Sequence, residues 1–169
     1  IFVTNNQKVA RGQVLAQLEI GDLLADLKIK QANYKTSDLD LESEVESAYR
    51  TLLSSDLTLT SNDDSSSVPV PEISGIYTGT EGIYKVIIRS DDVNRSDYDL
   101  YTFDLEKTKR ELNKTAPTPL GTQGLYISFE DSDLTGYDET VWYINIPNKS
   151  GPSYVANFNA YKKKKNRLE

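Results

Sequence analysis

Seven acidic side chains, Asp91, Asp92, Asp97, Asp99, Glu130, Asp131 and Asp133, fall in two stretches that read as loops. Two carboxylates at a fixed separation can hydrolyse a glycosidic bond. No motif fixes any two of these at a working distance, and loop acids are ordinarily just solvated. The run Asp131-Ser132-Asp133-Leu134-Thr135-Gly136-Tyr137-Asp138-Glu139 puts several oxygen ligands on one loop, as a hard cation such as calcium requires. Asp131, Asp133 and Asp138 are the candidate ligands. The run lacks the third alternating ligand and the Gly placement of an EF-hand. Tyr77, Tyr98, Tyr101, Tyr137 and Tyr143 can stack on sugar rings; equally, such residues cover small cores or lie in cross-strand pairs. Lys162 to Lys165 offer charge to an anionic lipid or polymer, or simply form the exposed face of a helix opposite an acidic arm. Asn94, Asn113 and Asn148 each open an Asn-x-Ser/Thr triplet.

Composition removes most other chemistry. The 169 residues include no His, Cys or Met. Imidazole bases, thiol nucleophiles, disulfides and zinc sites of the usual kind are therefore absent. The expectation is a non-enzymatic chain with no cofactor. A net charge of −7 and a pI near 4.7 oppose binding to nucleic acid, whose affinity comes from cationic contacts to phosphate. No stretch is apolar and long enough to span a bilayer. The opening Ile1-Phe2-Val3 and the helical pattern still running at Glu169 read as the ends of an internal piece of a longer protein.

These residues must be positioned by a small set of elements. Residues 1–19 read as two short strands around a turn at Asn5-Asn6, with a bend at Gly12. Residues 20–53 read as one helix. Ile20, Leu24, Leu27, Gln31, Tyr34, Asp38, Leu41, Val45, Ala48 and Leu52 keep an unbroken 4-3-4-3 spacing, the seam of a two-helix coiled coil. Residues 54–72, rich in Ser, Asp and Pro, read as a linker. Residues 73–159 read as an all-β, sandwich-like module. Its strands lie at Ile83–Ile88, Tyr98–Leu105, Leu125–Phe129 and Val141–Ile146, with Ile76, Tyr84, Val86, Ile88, Leu125, Ile127, Phe129, Trp142, Ile144 and Ile146 as the core. Residues 160–169 restart a helix, with Tyr161 and Leu168 one heptad apart. The expected fold is α+β: a partial lipoyl-like β-hairpin, long coiled-coil hairpin arms and an inserted β-sandwich.

The stretch from Val3 to Glu19 resembles the end of a half-motif of the biotinyl/lipoyl fold, with Val9, Gly12, Gln13, Leu15 and Leu18 at the matching positions. Asn5-Asn6 stands where Gly-Asp is more usual. Followed directly by a heptad helix, it resembles periplasmic adaptors of export and efflux pumps, the hemolysin-D-type membrane fusion proteins. In that family a helical hairpin separates two lipoyl-like halves. The residues from Gly75 to Tyr84 and from Pro119 to Leu125 resemble, more loosely, inserts of adaptor-like envelope proteins. The resemblance implies an extracytoplasmic, membrane-anchored parent. It also implies a homo-oligomer that assembles with an inner-membrane transporter and other envelope components. The alternative is an extracellular β-sandwich that binds glycan or a cell-surface protein.

Overall fold

The computed structural model describes residues 2–16, 20–61, 68–90 and 97–169. Helix α1 spans Gly21–Ser54. Its interior holds no Gly or Pro, and Asp22 in the first turn complements the positive end of the helix dipole. It stops where Asp56 takes a positive φ of 55°, a left-handed residue that a helix cannot continue through. Eight strands follow: β1 Leu59–Ser61, β2 Glu72–Gly75, β3 Gly82–Ser90, β4 Tyr98–Asp104, β5 Thr108–Glu111, β6 Thr118–Pro119, β7 Leu125–Ser128 and β8 Val141–Ile146. A 3-10 turn at Thr135–Tyr137 precedes β8, and helix α2, Tyr154–Leu168, closes the order.

All pairings are antiparallel. One sheet has the order β1-β8-β3-β4-β5 and the other β2-β7-β6. Alternation decides which side chains meet. On β3, Tyr84, Val86 and Ile88 are buried; on β8, Trp142, Ile144 and Ile146; on β4, Tyr98, Leu100 and Thr102. Register puts Val86 beside Trp142 and Thr102, so one continuous buried face crosses the larger sheet. Leu125 and Ile127 of the smaller sheet join the same core, as do Leu53 of α1 and Leu59 of β1. Tyr137 plugs one end: its hydroxyl donates to the Pro69 carbonyl at 2.7 Å, and its ring meets Phe129 edge-on at 5.0 Å.

The chain divides into two units, Ile1–Leu41 and Glu42–Glu169. In the first, residues 2–16 form no strand. They form two turns of one design. Thr4 and Ala10 each donate their N–H to the side-chain oxygen of the Gln three residues on, Gln7 and Gln13, at 3.0 Å. Asn6 and Gly12, with φ of 65° and 86°, occupy the left-handed position of each turn. One backbone bond, Phe2 N–H to the Leu15 carbonyl at 2.9 Å, joins the two ends. Ile1 and Leu18 lie outside the described residues.

Several expectations are corrected. Among the described residues there are no long coiled-coil hairpin arms, only the 34-residue α1 and the 15-residue α2. Of the expected seam, Ile20 just before α1 and Leu24, Leu27 and Tyr34 along it are exposed, Leu27 to 50% and Tyr34 to 75%. Burial begins at Leu41 and Val45 and is complete only at Ala48 and Leu52. The helix is anchored by its last turns, where Leu53 is fully buried. The lipoyl-like β-hairpin is two turns without strands. The stretch read as a linker contains β1 and the first residue of β2. The second helix starts at Tyr154, six residues before 160. In the core, Ile76 is 67% exposed and Tyr77 1%; Ile73 and Tyr77 share the inward parity, and Ile76 lies between them.

Candidate functional site

The acids expected to bind calcium do not converge. Asp131 accepts the Asp133 N–H at 3.1 Å, and Asp133 accepts the Thr135 N–H at 3.0 Å. These are local Asx turns, and the bond from Thr135 lowers the Asp133 pKa. Asp138 faces another strand: its oxygens accept the N–H and hydroxyl of Ser90 at 2.7 and 3.1 Å. Among the described residues no three acidic side chains come together as a metal site. Asp99 holds Lys109 at 2.7 Å, while Asp91, Asp92 and Asn94 lie outside the described residues. The tyrosines divide by parity: Tyr77, Tyr98 and Tyr137 are buried, whereas Tyr101 and Tyr143 lie half-exposed on the outer face of the larger sheet.

One carboxylate is held inside a network. Glu106 accepts the Tyr84 hydroxyl, the Thr122 N–H at 2.7 Å and the Thr122 hydroxyl at 2.6 Å. Burial alone would raise its pKa, but the bonds from Thr122, Tyr84 and the Gln123 backbone together lower it. Tyr84 is pushed far up by burial and by Glu106. Tyr77 packs edge-on against Tyr84 at 6.1 Å and donates to the Thr80 carbonyl at 3.0 Å. Every partner in this group serves the loops it ties together. It offers no free nucleophile or base.

A second polar centre joins the two helices at the base of the sheets. The Asp56 carbonyl accepts the Asn148 side-chain N–H at 2.6 Å, and its carboxylate accepts the Ser153 N–H at 2.7 Å. Asn157 of α2 donates to the Ser55 hydroxyl at 2.9 Å. Gly151 is required here, because a Cβ on it would stand 2.6 Å from that of Asp56. Farther along, the rings of Tyr49 and Tyr161 lie 5.2 Å apart, and Glu44 meets Lys164 at 3.9 Å and Arg167 at 3.7 Å. Contacts at 55–157, 49–161 and 44–164 describe two helices running antiparallel. The Lys run thus finds an acidic neighbour at Lys164. Two open clefts of about 470 and 520 Å³ flank the Asn148–Ser150 loop, and both are lined by Asn145, Asn148 and Ser150.

The junction residues were absent from the sequence-derived set. In the sequence Asn148 marks only an Asn-x-Ser/Thr triplet, yet its amide is bonded to Asp56. Of the matched motif, Gly12 and Gln13 build the second N-terminal turn, and Val9 and Leu15 are exposed. Compared with family models, with curated proteins and with solved structures, the chain matches none.

Proposed function

We propose that the chain is a structural, non-enzymatic part of an extracytoplasmic adaptor of the membrane fusion type, serving a transmembrane export or efflux system. Its β unit is an insertion between two antiparallel helical segments. The observation that carries this reading is the junction at Asp56. The chain leaves α1 and returns into α2 at one bonded point, through Asn148, Ser153 and Asn157. A module attached this way leaves the helical path of its host nearly uninterrupted. The role is assembly: the parent is anchored in a membrane, lies outside the cytoplasm, and contacts an inner-membrane transporter and further copies of itself.

The test is photo-crosslinking in living cells, with a benzophenone amino acid at the exposed positions Leu27 or Tyr34 of the full-length parent. The expected product is a covalent adduct with an integral membrane transporter, recovered in the envelope fraction. Recovery of the parent in the cytoplasm, or adducts without any membrane protein, would overturn the proposal.

A further inference from the structure

The outer face of the five-stranded sheet carries a pattern that neither the core nor the junction uses. Alternation turns Ile83, Lys85 and Ile87 of β3 outward, with Tyr101 and Phe103 of β4 and Val141, Tyr143 and Asn145 of β8. Register places Lys85 directly between Phe103 and Tyr143, and Thr60 of the edge strand lies beside Tyr143. Neighbouring strands are about 4.8 Å apart, so the two rings stand roughly 10 Å from each other with the ammonium between them. All three side chains are half-exposed.

Two cations on this face have an anionic partner. Arg89 meets Glu139 at 3.1 Å, and Lys109 meets Asp99 at 2.7 Å while lying over the Tyr101 ring. Lys85 forms no ion pair with a described residue, and its neighbours in register are aromatic. Lys85 thus presents its ammonium at a spot bounded by two flat apolar surfaces. Neutral hydrogen-bonding groups lie alongside: the Asn145 amide next to Tyr143, and the Thr60 hydroxyl, which donates to the Tyr143 carbonyl at 3.2 Å and can still accept a bond.

We propose that this face binds an acidic glycan, a chain of pyranose rings carrying carboxylates. The apolar faces of two sugar rings stack on Tyr143 and Phe103, a sugar carboxylate pairs with Lys85, and hydroxyls bond to Asn145 and Thr60. An acidic peptide would satisfy Lys85 but has no flat rings to lay on the two aromatics. A neutral glycan would satisfy the rings and leave the ammonium unmatched. This assignment is independent of the adaptor reading, because it concerns only the sheet.

The test titrates the whole chain with a short oligogalacturonate, a neutral cello-oligosaccharide of equal length and a poly-glutamate peptide, read by calorimetry and by backbone amide NMR. The oligogalacturonate is expected to bind, to shift amides at 83–87, 101–103 and 141–145, and to weaken as salt is added. The neutral glycan should bind about tenfold more weakly, and poly-glutamate not measurably. Lys85→Ala should erase the difference between the two glycans and Lys85→Arg retain it. Tyr143→Ala should weaken both by about tenfold, and Tyr143→Phe by little. If Tyr143→Ala loses spectral dispersion, Phe103→Ala carries the same prediction. Absence of glycan binding, shifts confined to another surface, tighter binding of poly-glutamate, or an acidic preference that survives Lys85→Ala each overturns the proposal.

Discussion

Tyr84 stands on the inward side of β3 with its hydroxyl against the Glu106 carboxylate, and this pair links stability to pH at both ends of the range. The Glu106 pKa is lowered in the folded chain. Its contribution to stability is therefore present above the ordinary carboxylate pKa, near 4.3, and is lost as pH falls through the folded value. Glu106→Gln should flatten that acid limb, and urea unfolding between about pH 6 and pH 3 measures it. Tyr84 has the opposite sign. Its pKa is raised by burial and by Glu106, as burial raises Tyr77 and Tyr137. Stability should hold below about pH 10 and fall as pH climbs from there toward the folded values. Tyr84→Phe should cost about 1.5 kcal/mol at neutral pH, the low end for bonds to charged groups, because Glu106 is only half-buried. An unchanged unfolding midpoint in that variant would remove Glu106 from the account of stability.

At the scale of elements, the decisive contacts hold α2 against the end of α1. Asn148→Ala would leave the Asp56 carbonyl and the Ser150 N–H without their partner, costing about 1–3 kcal/mol. Hydrogen exchange should rise across Tyr154–Leu168 in this variant while β3 and β8 amides keep their protection. Equal loosening of helix and sheet would mean that the junction is part of the core and not a latch upon it. These elements were unequally legible in the sequence. β3, β4, β7 and β8 announce themselves because β-branched and aromatic residues dominate each of them. β5 carries no apolar residue in Thr108-Lys109-Arg110-Glu111; its pairing follows from the turn after Asp104, whose φ is 72°, and β1, β2 and β6 are too short to show a period. The α1 seam misled for a physical reason. Spacing of 3.5 reports which side of a helix is apolar, not whether anything covers it. The junction was illegible because Asp56, Asn148 and Ser153 are ordinary loop residues until the chain brings them together.

For the whole molecule, the question is which part carries the folding free energy. Among the described residues, every buried hydrophobic side chain lies from Ala48 to Ile146, inside the unit Glu42–Glu169. Phe2, Leu15, Leu24, Leu27 and Leu39 of the first unit are exposed and contribute little burial. At about 25 cal/mol per Å² of apolar surface, stabilisation follows the buried area, so it resides almost wholly in the second unit. A fragment of residues 42–169 should then fold alone, with the buried Trp142 giving the same emission maximum as in the full chain and a Tm within a few degrees of it. Leu53→Ala, made in that fragment, should cost about 2–5 kcal/mol, because this side chain is where α1 enters the core. The complementary piece, residues 1–41, should show little helix by circular dichroism, since its α1 turns have propensity but no packing to hold them. If that piece proved strongly helical and self-associated, its exposed leucines would be satisfied by its own copies, and α1 would owe its stability to assembly and not to the sheet it docks on.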